Sequence, residues 1–415
     1  MRTITLLLFL LLTQFSLTAQ VFWLSFDSGN SGLPNNNCHD VYVLANEQVY
    51  AATSGGVGIY NNGVWTANSL TINGVLPNFL AAAQPDGAGV LWAGAFQNGI
   101  SRYENGNWTK DFQANIKRML VDSIDQKWFA STDGLVLYDG MNYTEFNTGN
   151  TPFFPSNIVN TVAEDGQGNI WIGCDPQGNL QGGLARFDGN NWTSWNMTTS
   201  TGLPDNRINS IDLLANGDMV IGTDAGLAVG DPLTGWTAYN AGNSMLPNDQ
   251  VNVVKVDEND LIWVGTEGGL ANFDLVNMTV FTTATSDLPD NRIRGIDFDQ
   301  TGHTWLATGG GVAVYNPDGV TTDLEALAGP VLLQAWSPNP VETGKEITSK
   351  LMLQDAGQLR IRLLSLEGKV LKTQAQPVFS GEQELTFSFN ELPSGLYLLQ
   401  VLSTKGSTVQ KIRVQ

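Results

Sequence analysis

Side chains able to bind ligands or move protons gather in two kinds of short segment. One kind centres on Leu-Pro-x-Asn and similar runs, and supplies Asn36, Asn37, Ser156, Asn157, Asp205, Asn206, Arg207, Asn248, Asp249, Asp290, Asn291 and Arg292. The other is a set of Thr-Asp-Gly-like turns carrying Asp133, Asp175, Asp224 and Glu267. Asn, Asp and Arg offer fixed donors and acceptors, which suits recognition of hydroxyl groups. Carboxylates in such positions could also act as a general acid and base, but no pair can be picked from sequence. Most of these residues recur at regular intervals, so the majority are expected to cap their own turn backbones.

Features that do not recur carry more information, because functional loops sit on otherwise rigid scaffolds. Trp171 and Leu184 are 13 residues apart, whereas Trp263–Leu270 and Trp305–Val312 are each separated by 7. The six additional residues surround Asp175, Gln177, Asn179 and Gln181. A second turn has one additional residue, in Phe96, Gln97 and Asn98. With Arg207, Arg292, Asp224 and Glu267, these define the candidate ligand-binding face. No catalytic set and no metal set emerges.

Two His and two Cys leave little scope for other chemistry. Cys38 aligns with Ile208 and Val251 and reads as core, and Cys174 replaces the Thr of a Trp-Ile-Gly-Thr run. His39 lies beside Cys38, and His303 falls in an exposed hairpin turn; neither has an evident catalytic partner. An Asp, two residues, Gly or Asp, two residues, then Trp occurs five times, ending at Trp92, Trp128, Trp171, Trp263 and Trp305. It lacks the full ligand spacing of a calcium loop and its terminal Glu, so it reads as a turn. No cofactor is expected, with calcium kept as an alternative on so acidic a chain.

These turns belong to a repeat. Degenerate copies at Tyr50 and Val220 complete seven anchors, spaced 42, 36, 43, 49, 43 and 42 residues apart. Such a period fits four short strands, one propeller blade. Each unit has an alternating first strand such as 207–212, a Trp-Ile-Gly-Thr second strand, a third such as 184–187, and a fourth with aromatics three apart, as in Trp192 and Trp195. The seventh unit has no aromatic fourth strand, but Trp23-Leu24-Ser25-Phe26 supplies one. The sequence therefore predicts an all-β, seven-bladed β-propeller closed by the N-terminal strand, followed by a small C-terminal β-sandwich. The repeated Trp residues are expected in the core between blades.

The run from Ile158 to Gly173, and its counterparts in every blade across about 22–320, resembles the two-component regulator propeller repeat. The resemblance implies the propeller fold and, more distantly, a sensor role, since such repeats often form periplasmic domains that detect glycans ahead of a histidine kinase. No kinase, receiver or membrane helix follows here. The segment 336–415 resembles the type IX secretion sorting domain (type A) of Bacteroidota. That resemblance rests on Pro338-Asn339-Pro340, the Gly368-Lys369 turn, Leu392 to Leu398 and the terminal Lys411-Ile412-Arg413-Val414. It implies passage across the outer membrane by the type IX machinery, often with removal of the domain and attachment of the cargo to surface lipopolysaccharide.

The expected organisation is a signal peptide over 1–19, the propeller over 20–322, a linker over 323–335 and an Ig-like sorting sandwich over 336–415. The 415 residues carry a formal charge of −20. Residues 20–330 hold 10 basic and 33 acidic side chains, a net of −23, while 331–415 are slightly basic. This argues against nucleic acid and anionic polysaccharides and favours neutral glycans, cations or basic proteins. The mature chain is expected to have no transmembrane helix. The leading expectation is a secreted or cell-surface, non-catalytic recognition propeller binding a glycan or protein. The alternatives are a lyase or glycan hydrolase using loop-face carboxylates, and a sensor paired with a separately encoded kinase.

Overall fold

The computed structural model describes residues 20–61, 63–68, 79–321, 331–332, 336–342, 344–353, 357–364, 370–378, 381–388, 392–403 and 406–415. The signal peptide and the Gly368-Lys369 turn lie outside the described residues. Two compact units are present. One is Trp23–Pro317, and the other comprises Asp318–Gln415 with residues 20–22.

The first unit is a ring of seven four-stranded antiparallel sheets. The innermost strands of blades 1 to 7 are Cys38–Val43, Leu80–Pro85, Ile116–Val121, Val159–Glu164, Ile208–Leu213, Val251–Val256 and Ile293–Phe298. Each packs against the next around a central channel, and the seventh packs against the first. Gln20–Phe26 lies beside Gly311–Thr321 as the outer strand of blade 7, so the ring is closed by the start of the chain. The third strand of that blade runs to Thr321, well beyond the Val312–Tyr315 core legible in sequence.

All seven anchors occupy the second position of a second strand. The five Trp anchors are buried between adjacent blades; Trp171, for example, packs with Ile208 and Ile221 of blade 5. The carboxylate six residues earlier explains the motif. In blade 4 one oxygen of Asp165 accepts the backbone N–H groups of Gln167 and Asn169, and the other accepts the Trp171 indole N–H at 2.8 Å. The same clasp joins Asp86 to Trp92, Asp122 to Trp128 and Asp299 to Trp305. One buried side chain thus ties a hairpin turn to the core.

The Gly of Trp-Ile-Gly-Thr is required by blade spacing. A Cβ on Gly173 would lie 2.5 Å from Ile208, and one on Gly222 would lie 2.6 Å from Val251, each the first inner-strand residue of the next blade. The following Thr closes the turn: Thr53, Thr223, Thr266 and Thr308, and Ser131 in blade 3, donate to the carbonyl that opens the third strand, at 2.7–2.8 Å. Blades 2 and 4 carry Ala95 and Cys174 there, and these are the two blades with longer turns. Cys174 and Cys38 are fully buried and unpaired, and burial pushes the Cys38 thiol up to about 12.

In the C-terminal unit a sheet of Val331–Leu332, Glu346–Leu353 and Gly381–Ser388 accompanies one of Val370–Val378, Gly357–Leu364, Gly395–Ser403 and Gly406–Val414. Trp336, Ile347, Ile361, Phe387, Leu399 and Ile412 belong to a single buried core. Val331–Leu332 pair with Met352 and Leu351, so the stretch read from sequence as a linker contributes a short strand. Asn339 of the Pro-Asn-Pro opening donates to the Lys411 carbonyl at 2.8 Å and accepts the Arg413 N–H at 2.9 Å. The two ends of the sequence signature are therefore clasped together.

Candidate functional site at the channel mouth

Every inner strand begins with the same irregularity. Its register shifts between the first and third residues, leaving the second outside the regular ladder. A bulge of this kind re-aims side chains. The second-position residues are His39, Ala81, Lys117, Asn160, Asn209, Asn252 and Arg294. They sit at the end of the channel where the Leu-Pro loops meet the second-to-third-strand turns. Backbone bonds join these two kinds of segment directly, as in Ser54 to Asn37, Thr132 to Asn115 and Glu267 to Gln250.

The three asparagines perform one task. Each donates to the turn carboxylate of its own blade and to the first inner-strand carbonyl of the next. Asn209 reaches Asp224 at 2.8 Å and the Val251 carbonyl at 2.9 Å. Asn252 reaches Glu267 and Ile293 in the same way, and Asn160 reaches Asp175 and Ile208. Arg207 bridges Asp175 at 3.3 Å and Asp224 at 2.9 Å, and Arg292 meets Glu267 at 2.5 Å. Five of the candidate residues, Asp175, Arg207, Asp224, Glu267 and Arg292, are thus joined in two ion-pair groups around one rim.

The remaining candidates are spread out. Gln177 and Leu180 exchange backbone hydrogen bonds, closing the six-residue insertion on itself and leaving Gln177, Asn179 and Gln181 exposed. In blade 2 the Gln97 N–H is held by the Asn115 side chain, Asn98 is half-buried, and the exposed Phe96 ring lies 6.2 Å from Phe79. Many recurrent loop residues serve the backbone. Asn36, Asn157, Asn206, Asp249 and Asn291 each accept an N–H from the turn after a fourth strand.

Between blades 6, 7 and 1 lies a cavity of about 380 Å³, lined by Asn37, Glu267, Asp290, Asn291, Arg292, Arg294 and Gly309. Arg294 binds the Asn37 side chain and the Cys38 carbonyl. Next to it, His39 Nε2 and Ser54 Oγ are 2.9 Å apart, and the imidazole centre lies 3.9 Å from that of the Phe79 ring, tilted by 36°. Burial, with the guanidinium groups of Arg294 and Arg118, pulls the His39 pKa down to about 3. Residue spacing does not reveal the His39–Ser54 pair, because its members come together only across the blade 1 turn. His303 is bonded to Asp299 within its hairpin.

Arg118 of blade 3 crosses the channel to the carbonyls of His39 and Arg294 in blades 1 and 7. Deeper, Asp40, Asp297 and Lys255 line the channel. Burial pushes the Asp40 carboxyl up to about 6, against the pull of Arg118. Burial works against the charge of Lys255, but Asp297, Asp212 and Asp40 hold its pKa above the ordinary lysine range. Among the described residues no cluster of three or more His, Cys, Asp or Glu could hold a metal ion.

A closed ring of seven four-stranded sheets with a polar, bulge-lined mouth, in a chain that also carries a separate two-sheet unit, is the architecture of a β-propeller with an appended β-sandwich. Residues 154–176 match the two component regulator propeller family, and residues 337–415 match the secretion system C-terminal sorting domain. A sorting domain of this kind marks a chain for export to the cell surface or the medium. No helix among the described residues is long and apolar enough to cross a membrane. No curated protein matches the chain.

Solved structures share the fold. The extracellular domain of a protein described as a hybrid two component system from B. thetaiotaomicron has a TM-score of 0.61 at 17% identity, over 95% of this chain and 58% of that one. PorZ, a surface component of the type-IX secretion system of Porphyromonas gingivalis, has a TM-score of 0.55 at 16% identity, over 94% of this chain and 60% of PorZ. The chain thus spans less than two thirds of the length of either. Virginiamycin B lyase from Staphylococcus aureus has a TM-score of 0.56 at 12% identity, over 71% of this chain and 98% of the lyase.

Proposed function

We propose that this protein is a non-catalytic recognition propeller, exported by the type IX machinery, that binds a glycan or protein ligand at the channel mouth. The observation that carries the reading is the cavity between blades 6, 7 and 1, whose lining side chains are all hydrogen-bonding groups. Arg292, Glu267, Asn291 and Asp290 present donors and acceptors side by side, a composition suited to sugar hydroxyls or a polar peptide. Asp175, Arg207 and Asp224 extend the same rim, and the exposed Gln177, Asn179, Gln181, Phe96 and Gln97, with the half-buried Asn98, supply outer contacts.

The groups that could catalyse are poorly placed to do so. Asp175 and Asp224 are each engaged by Arg207 and by an inner-strand asparagine. His39 beside Ser54 could suggest a nucleophile and its base, but an imidazole with a pKa of about 3 is too weak a base for efficient proton transfer at neutral pH. The test is a glycan array and a pull-down from outer-membrane and secreted fractions using the full mature chain, repeated with Arg292→Ala. A ligand of one class is expected, with binding weakened at least about tenfold in the variant. Absence of any ligand in both assays, or turnover of a bound glycan, overturns the proposal.

A further inference from the structure

Large apolar side chains on a protein surface are ordinary when they stand singly and informative when they adjoin. Phe79 and Phe96 adjoin at the channel mouth. Phe79 is 40% exposed and Phe96 39%, and their ring centres lie 6.2 Å apart, edge toward face. They occupy matched places in blade 2, where the Phe96 N–H donates to the Phe79 carbonyl at 3.0 Å. The same backbone bond joins Ser54 to Asn37, Thr132 to Asn115, Asp175 to Ile158 and Glu267 to Gln250 in blades 1, 3, 4 and 6. Among the described residues, blade 2 alone has an aromatic at these places. Its bulge residue is Ala81, where each of the other six blades carries a polar side chain.

The two rings are firmly supported. Gln97, next to Phe96, has a left-handed backbone with φ of 69°, which a residue other than glycine adopts at a cost. Blade 3 secures that conformation: the Asn115 side chain accepts the Gln97 N–H and the Gln113 side chain donates to the Gln97 carbonyl, each at 3.0 Å. From blade 1 the His39 imidazole centre comes within 3.9 Å of that of Phe79. His39 Nε2 and the Asn37 side chain both meet Ser54 Oγ at 2.9 Å, and Asn37 accepts from Arg294. Asn37 and Arg294 line the polar cavity, so side chains in contact lead from the cavity to the rings.

We infer that Phe79 and Phe96 form a stacking platform for a neutral pyranose sugar of a glycan whose hydroxyl groups are read by the adjoining cavity. The inference rests on the recognition reading above and selects the glycan within it. A pyranose with mostly equatorial hydroxyls turns a patch of weakly positive C–H groups to one side, and the face of an aromatic ring is negative. Its rim of hydroxyls requires donors and acceptors such as those of Asn37, Arg292 and Arg294. The charge around the rings disfavours ions of either sign. Arg294 and Arg118 act on His39 beside Phe79, which opposes a cation there. The propeller's net charge of −23 repels polyanions at long range. Rings already fixed in place also lose little freedom when a ligand stacks on them.

Isothermal titration of the full mature chain with four uncharged probes tests it. These are cellotetraose, β-1,4-galactotetraose, β-1,4-mannotetraose and an end-capped hexapeptide of Gly, Ser, Tyr and Leu. At least one sugar is expected to bind, and the peptide is not. Phe79→Ala and Phe96→Ala should each weaken that sugar at least about tenfold. Phe96→Leu keeps apolar bulk but loses the ring, so it should weaken binding comparably, whereas Phe96→Trp should bind as the parent does. Leu233→Ala, at an exposed apolar residue in the turn between the third and fourth strands of blade 5, should change nothing. Circular dichroism checks that each variant folds. Saturation-transfer NMR should place the closest contact on the C–H protons of one sugar face, and that signal should disappear in Phe96→Ala. Full affinity in both alanine variants, or in Phe96→Leu, overturns the platform and leaves the recognition reading standing. Binding of the peptide, or of no sugar, also overturns it, and the glycan array and pull-down then decide the broader reading separately.

Discussion

Blades 4 and 6 contain a comparison that measures the worth of the Asp–Trp clasp. Asp165 accepts the turn N–H groups of Gln167 at 3.0 Å and Asn169 at 2.9 Å, and the Trp171 indole at 2.8 Å. Asp257 accepts the equivalent N–H groups of Asn259 and Leu261, but the buried indole nitrogen of Trp263 has no hydrogen-bond partner among the described residues. Asp257→Ala therefore removes turn bonds that water can partly replace, at about 1 kcal/mol. Asp165→Ala removes those and also strands a buried indole N–H, adding about 1–2 kcal/mol, for about 2–3 kcal/mol in all. Urea unfolding followed by circular dichroism should show the larger midpoint shift for Asp165→Ala.

Acid supplies a second check. Burial would raise the Asp165 pKa, but bonds from Asn169 and Trp171 outweigh it and hold the carboxyl below its ordinary value of 3.8. Stability from this group is therefore fully present above pH 3.8 and is lost as pH falls through the lower folded value. The gap between wild type and Asp165→Ala should stay constant at neutral pH and narrow in strong acid. Equal losses from Asp165→Ala and Asp257→Ala would refute the clasp as the reason for the motif.

Three other outcomes follow from the geometry. Gly173→Ala should destabilise the propeller by about 1–3 kcal/mol, because its Cβ would press on Ile208; an unchanged melting temperature would show that the blades can separate freely. Asp40 is half-buried in the channel, and desolvation there raises its pKa to about 6, so ionising it costs folding energy that grows as pH rises from 3.8 to about 6. Asp40→Asn should thus be near neutral in melts at about pH 4 and stabilising at about pH 8, and the reverse order would contradict the burial argument. Asn339→Ala removes the clasp between the Pro-Asn-Pro opening and the last strand. Less protein should reach the surface and medium, measured by fractionation and immunoblot, and undiminished export would separate the clasp from sorting.

The ring was legible because its determinants are local and repeated. Seven anchors at a fixed period place every second strand, and the missing aromatic fourth strand of the last unit identifies Trp23–Phe26 as its replacement. The length of the Asp175–Gln181 insertion was equally plain. Its closure on itself was not, since Gln177 and Leu180 pair through backbone groups that carry no residue signature. The inner-strand bulge was hidden because an alternating pattern gives no sign of a shifted register. Without it, Asn160, Asn209 and Asn252 look like ordinary strand polars rather than ties between blades. Arg118's reach across the channel to the carbonyls of His39 and Arg294 depends on ring closure, which no spacing in the chain encodes.

The partnership of Gln20–Phe26 with Gly311–Thr321 gives the ring a temporal order. Blades 1 to 6 are assembled from neighbours in sequence, and their hairpins can form as soon as each segment is available. Blade 7 joins segments from opposite ends of the propeller sequence. Closing so long a loop carries an entropic cost that only the last contacts repay, and non-local pairing is slow. A chain that emerges from its N-terminus therefore presents the closing strand first and its partner last. Until then both the first and the sixth blades have an uncovered side, so the open arc is the form of this protein most exposed to wrong partners, and completion of the seventh blade is what ends that exposure.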